Sequence, residues 1–244
     1  MQVETYYYIA ALPMLGDIGS DPPLGLTDML AHVQARPRWR RLVGTLLLFD
    51  DLLQREAFLA GEVDSVDPAV LTPVQARNEA PLPADLVATE EPAREANVAV
   101  DDLWETYFRF AAKVGHEMGS AFLDSWVRFE VSLRNALAAA RARRLGLEEA
   151  DYQVAIDLSA SEEDFTATMD EWAAAPTPLA GLRVVIRARW SWIDDHESWF
   201  SFSENELLVY AARLMLLEQW RRCAEERGVE TSNPHSPPQR RRQT

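Results

Sequence analysis

"WVRFEVSLRNALAAARARRLG", residues 126–146, decides how this chain is read. No Gly or Pro interrupts it before Gly146, so it predicts one long helix that stops at a glycine. Around it, Phe122, Trp126, Phe129, Leu133, Ala136 and Ala140 are spaced four, three, four, three and four residues apart. That spacing is a seam able to pack against a partner helix. The helix is expected over about Ala121 to Leu145, roughly 37 Å at 1.5 Å per residue. Arg134 and Asn135 stand inside it, between Leu133 and Ala136. A polar pair there reads as a device that fixes register between helices. An arginine stem packed on the seam with its head in water is the simpler form of the same reading.

Working outward, the chain reads as helical nearly throughout. Tyr6 to Leu12 is the exception: its aromatic and β-branched residues before Pro13 predict an extended N-terminal segment, with room for one strand. A short helix is expected from Leu26 to about Ala35, stopped by Pro37, and a longer one from Arg38 to Ala60 before Gly61. Residues 62–98 carry Pro68, Pro73, Pro81, Pro83 and Pro92 and read as a connector with at most one short helix near 68–77. Asp102 and Glu105 have capping-box spacing for a helix before the turn "VGHEMGS". Two acidic helices are expected at Glu148–Leu158 and Ser161–Ala174, then one from Leu182 to about Asp194. Ser203 and Glu206 open the last long helix, which runs to Arg227 before Gly228. The composition of 229–244 reads as a disordered tail.

The three long helices each carry an aromatic with leucine four residues on: Phe49/Leu53, Phe129/Leu133 and Tyr210/Leu214, the aromatics 80 and 81 residues apart. That spacing predicts an all-α fold of three pseudo-repeated helical hairpins, at about 26–61, 101–146 and 180–228, in one bundle-like or funnel-like domain over 1–228.

Charge and composition narrow the function. A net charge of −15 disfavours nucleic acid and anionic lipid as partners. No run approaches the ~20 apolar residues of a membrane span, Glu4 sits where a signal peptide is basic, and Cys223 is alone. These features predict a cytoplasmic protein without membrane insertion or disulfides. His32, His116, His196 and His235 lack metal-ligand spacing, and there is no Walker A or GxSxG sequence, so no cofactor, metal or catalytic residue is expected. The densest polar cluster is Asp194, Asp195 and His196; a helical enzyme built on those three is the competing reading from another class. Trp190, Trp192 and Trp199 crowd one helix–loop junction and would mark a partner interface if exposed.

"ETYYYIAALPML", "TLLLFDDLLQ" (45–54), the opening stretch and "ENELLVYAARLMLLEQWRR" (204–222) together resemble a short bacterial family whose genes tend to sit in V/A-type ATPase operons. That family is similar to the C-type (or d-type) subunits of the rotary V/A-type ATPases. The resemblance implies an acidic residue, an aliphatic and then Arg-Asn on each repeated helix; Glu130, Leu133, Arg134, Asn135 and Ala136 come nearest. The first repeat has Asp50, Asp51, Leu52 and Leu53, and the third Arg213-Leu214 without the Asn. It further implies a non-catalytic component or accessory that couples the central stalk to the proteolipid ring in proton or other ion transport. Such a protein is peripheral at the inner membrane face through the ATPase. A soluble assembly or regulatory factor of the same complex is the alternative within this class.

Overall fold

The computed structural model describes residues 2–87, 99–160, 163–196 and 203–230. Among them the regular elements are all helical, and no strand occurs. The α-helices are α1 (Gln2–Ala10), α2 (Leu26–His32), α3 (Pro37–Leu59), α4 (Pro73–Ala76), α5 (Ala99–Met118), α6 (Ala121–Leu145), α7 (Thr166–Ala174), α8 (Pro178–His196) and α9 (Glu204–Glu230). Short 3-10 turns occupy 84–86, 149–152 and 156–158.

Two helices form the centre, because their middle turns, 42–49 and 207–217, carry apolar residues on nearly every side. In α3, Leu42, Val43 and the run Leu46 to Phe49 are buried, as are Leu52 and the polar Asp50, Asp51, Gln54 and Arg55. In α9, Leu207, Leu208, Ala211, Ala212 and Leu214 to Leu217 are buried. The two pack together, with α5 on the other side of α3 and α8 beside α9. Arg213 of α9 meets Asp194 near one end of α8, and Arg183 near the other end donates to the Cys223 carbonyl, so α8 and α9 run antiparallel. α7 lies against α8.

α5 and α6 pack as neighbours across a two-residue break. Gly119 takes φ +58°, a conformation glycine adopts without steric cost, and the Ser120 hydroxyl accepts from the Leu123 N–H at 3.4 Å to start α6. Gly146, at φ +69°, ends it. One continuous core joins these helices. A ladder of rings crosses it from Phe49 and Trp104 through Trp126 and Phe129 to Trp192, each neighbouring pair between 4.9 and 6.4 Å apart. Ring pairs at such spacings each add about 0.5–1.5 kcal/mol beyond their buried area.

Several local expectations give way. Residues 2–10 are α1, not an extended segment or strand: Tyr8 sets its ring edge-on to His32 and Trp39, and Ile9 and Leu12 reach the core. Tertiary contacts of this kind override the β-propensity of a tyrosine run. The 148–158 segment is two 3-10 turns rather than a helix, because its backbone hydrogen-bonds to a side chain of α6. α5 begins at Ala99, leaving Asp102 inside the first turn instead of capping it, and it runs on to Met118 through most of the expected turn. α7 begins at Thr166, and the Ser161 cap lies outside the described residues, as do 88–98 and all of the tail beyond Glu230.

Candidate functional site

Polar side chains are concentrated where the long helices cross, and α6 supplies three of them. Glu130 is buried at 1% exposure, and Arg189 of α8 reaches it with two bonds, Nε at 2.7 Å and Nη2 at 3.0 Å. Burial raises the Glu130 carboxyl above its ordinary value, and the Arg189 guanidinium opposes that rise. The same guanidinium lies 4.9 Å from the centre of the Phe49 ring. One turn later Arg134 donates to Asp101 of α5 at 3.1 Å and lies 4.7 Å from the centre of the Trp104 ring. Its side chain is 24% exposed. The Trp104 indole in turn donates to Glu56 of α3 at 2.8 Å. Asn135 behaves differently. Its amide nitrogen donates to the Val154 carbonyl and its oxygen accepts from the Val154 N–H, both at 2.9 Å. It therefore clasps the returning segment, not a helix. The geometry thus separates the three residues: two tie helices together and one ties a loop down.

A second cluster, on α3, is not apparent from the sequence. Asp50, fully buried, accepts from Gln54 and Gln219 at 2.9 Å each and from Arg222 of α9. Asp51, also fully buried, accepts three consecutive backbone N–H groups, from Ala69 at 2.8 Å, Val70 at 2.7 Å and Leu71 at 2.6 Å. Burial pushes its carboxyl up to about 7, although the three amides pull the other way. Gln54 exchanges two bonds with the Asp67 backbone, and Arg55 donates to the Gln75 carbonyl and to Asn78 Oδ1. Asp51, Gln54 and Arg55 thus pin the 67–78 connector to the core, while Asp50 ties α3 to α9. Their spacing, Asp50–Asp51 followed by Gln54–Arg55, is the signal that could have exposed them: such residues leave an apolar surface only when bonded.

The remaining candidates scatter. Asp194 pairs with Arg213. His196 donates Nδ1–H to the Trp192 carbonyl at 2.8 Å and stacks on that indole at 4.0 Å. Asp195 faces an open trough of about 380 Å³ along α7 and α8. The three neighbours therefore point to three different places. Trp192 is 6% exposed and belongs to the ring ladder, so it is a core anchor and not part of an exposed patch. Trp190 is half-buried under Arg213, and Trp199 lies outside the described residues. Among the described residues, no three His, Cys, Asp or Glu side chains gather as a metal site, and no helix is long and apolar enough to cross a membrane.

A family model described as "Protein of unknown function (DUF2764)" matches residues 74–169. The match spans α4 to the first half of α7 and takes in Arg134 with Asp101 and Asn135 with Val154; the Arg189 partner of Glu130 falls outside it. No curated protein and no solved structure matches the chain.

Proposed function

We propose that the chain is a non-catalytic subunit or accessory protein of a V/A-type ATPase, a braced helical body that meets the central stalk and the proteolipid ring. One correspondence carries this reading. Asp50 and Glu130, 80 residues apart, are both buried carboxylates, and each is held by an arginine from the 180–228 group, Arg222 and Arg189. A few residues on, Gln54 and Asn135 each exchange two bonds with the backbone of the segment that follows their helix. The first two helix groups use similar devices, the amide falling four residues after Asp50 and five after Glu130, and the third supplies both cations. This supports the three-group arrangement that the resemblance implies.

Such bracing suits a part that transmits force. Removing one partner of a buried ion pair costs roughly 3–5 kcal/mol, so the groups resist sliding against one another. An assembly factor of the same complex would share this body and differ only in leaving the finished machine.

The test is genetic and functional. Deleting the gene in its native host should reduce ATP-driven ion pumping by inverted membrane vesicles. The wild-type gene and an Asp195→Ala/His196→Ala variant should restore it equally. Unchanged pumping after deletion would overturn the proposal, and failure of a folded Asp195→Ala/His196→Ala chain to restore it would favour the enzyme reading.

A further inference from the structure

We propose that the outer side of residues 145–156 is a docking surface for a cationic amphipathic helix of another protein. The segment begins at the exit of α6. Gly146 turns left-handed there, and the Leu147 N–H returns to the Ala142 carbonyl at 2.9 Å. The chain then runs back along α6. Asn135 holds Val154, and the Ser132 hydroxyl accepts from the Ala160 N–H at 2.8 Å. From the level of Leu145 to that of Asn135 is about 15 Å of helix, a length that roughly three turns of a partner helix cover.

This outer side is apolar. Leu145 is 71% exposed and Ile156 54%, and Leu147 and Tyr152 are exposed with them. Large apolar side chains scattered singly on a surface are ordinary, but four within one held segment make a patch. A second feature shows that the exposure is built into the backbone. Side chains of an extended run alternate between faces, so with Val154 buried Ile156 would be buried too. The left-handed Ala155, at φ +45°, breaks that alternation: Val154 and Ala155 both face inward and Ile156 faces water. A non-glycine residue takes this conformation only where its surroundings impose it, and Asn135 does so by holding both polar groups of Val154. The fold thus keeps a strained residue and, by means of it, an aliphatic side chain in solvent.

Charge selects the partner. From Leu147 to Leu158 the sequence carries Glu148, Glu149, Asp151 and Asp157 and no Lys or Arg. Arg143 lies 3.5 Å from Glu149, and Arg109 binds Asp157 at 3.1 Å. Glu148 and Asp151 are exposed and have no cation partner among the described residues. Arg143 and Arg144 in the last turn of α6 leave the carboxylates in excess. An apolar stripe edged by surplus carboxylates fits a helix with aliphatic anchors at i, i+3 and i+4 and Lys or Arg beside them. The same edge repels anionic lipid. This chemistry does not depend on whether the chain belongs to a rotary ATPase.

The probe is a labelled leucine–lysine amphipathic peptide, titrated with the full chain and read by fluorescence anisotropy. Wild type should bind it with an affinity that falls as salt rises, and should not bind a leucine–glutamate peptide of the same length. Leu145→Asn/Ile156→Asn should weaken binding about tenfold. Met14→Asn/Leu59→Asn, which removes two exposed apolar side chains elsewhere, should leave it unchanged. Glu148→Gln/Asp151→Asn should weaken binding and flatten its salt dependence. Asn135→Leu, which leaves the stripe residues in place and frees their backbone, should weaken it as well. Equal affinity of wild type and Leu145→Asn/Ile156→Asn, or equal binding of the two peptides, would overturn the proposal. So would a doubled mass in sedimentation that Leu145→Asn/Ile156→Asn returns to that of one chain, since the stripe would then belong to a second copy.

Discussion

Arg134 bonds across to another helix while a quarter of its side chain stays in water, and that mixture sets its energetic weight. Arg134→Leu strands Asp101 and loses the contact with Trp104, for an expected cost of about 1–3 kcal/mol. Arg143 sits on the outer face, 63% exposed and 3.5 Å from Glu149, so Arg143→Leu should change stability by less than about 0.5 kcal/mol. Equal shifts in melting temperature for the two variants would contradict this ranking. Asp51 makes a pH prediction. Its carboxyl is raised from 3.8 to about 7 on folding, so between those values the folded chain holds a proton that the unfolded chain has lost. Its contribution to stability is therefore full below 3.8 and is lost as pH rises through about 7. Asp51→Asn turns an NH2 toward backbone donors and should cost about 1–3 kcal/mol. It should also remove this group's share of the fall in stability between about pH 5 and pH 8, read from urea unfolding of both chains. A wild-type fall no larger than that of Asp51→Asn would refute the assignment. Arg134 and Asn135 are legible in the sequence because they interrupt an apolar seam. Their partners are not, since Asp101 and Val154 lie 33 and 19 residues away and pairing across such separations leaves no local pattern.

At the scale of the element, α3 and α6 are readable because breakers and periodicity agree on them, whereas α9 continues through Gly228, where a stop is expected, to Glu230. Pro37 starts α3 and Gly61, at φ +73°, follows its end; Gly146 closes α6. Elements whose form depends on a distant side chain are not readable. The 149–158 turns carry helix-forming residues, yet Asn135 takes both polar groups of Val154, and Ala155 is held at φ +45°. A left-handed non-glycine residue is costly and persists only where its surroundings impose it. Asn135→Leu should therefore release the segment: amide hydrogen exchange at 152–158 should quicken markedly while exchange within α3 and α9 stays slow. Uniform acceleration across all helices would instead mean that Asn135 supports the whole fold and not this one loop. α1 departs from its composition for a related reason, its form being set by Tyr8 packing on Trp39 rather than by its own residues.

For the whole molecule, the absence of strands among the described residues agrees with the periodicity, and one core joins the helices. The arrangement of charge inside that core is beyond the sequence. Asp50 and Glu130 can be matched as a repeated acidic position, but nothing local shows that Arg222 and Arg189 come to them from the last third of the chain. That pattern, acids in two helix groups and bases in the third, is the physical basis for proposing a braced, non-catalytic component of a rotary ATPase. It is tested most directly by purifying the intact V/A-type ATPase from its native host in mild detergent through a tag on one of its catalytic chains, and measuring by mass spectrometry the ratio of this chain to the central-stalk proteins. The account predicts a constant ratio across the peak of active complex, or, for an assembly factor, enrichment in incomplete complexes. Absence of the chain from complete and incomplete complexes alike would contradict it.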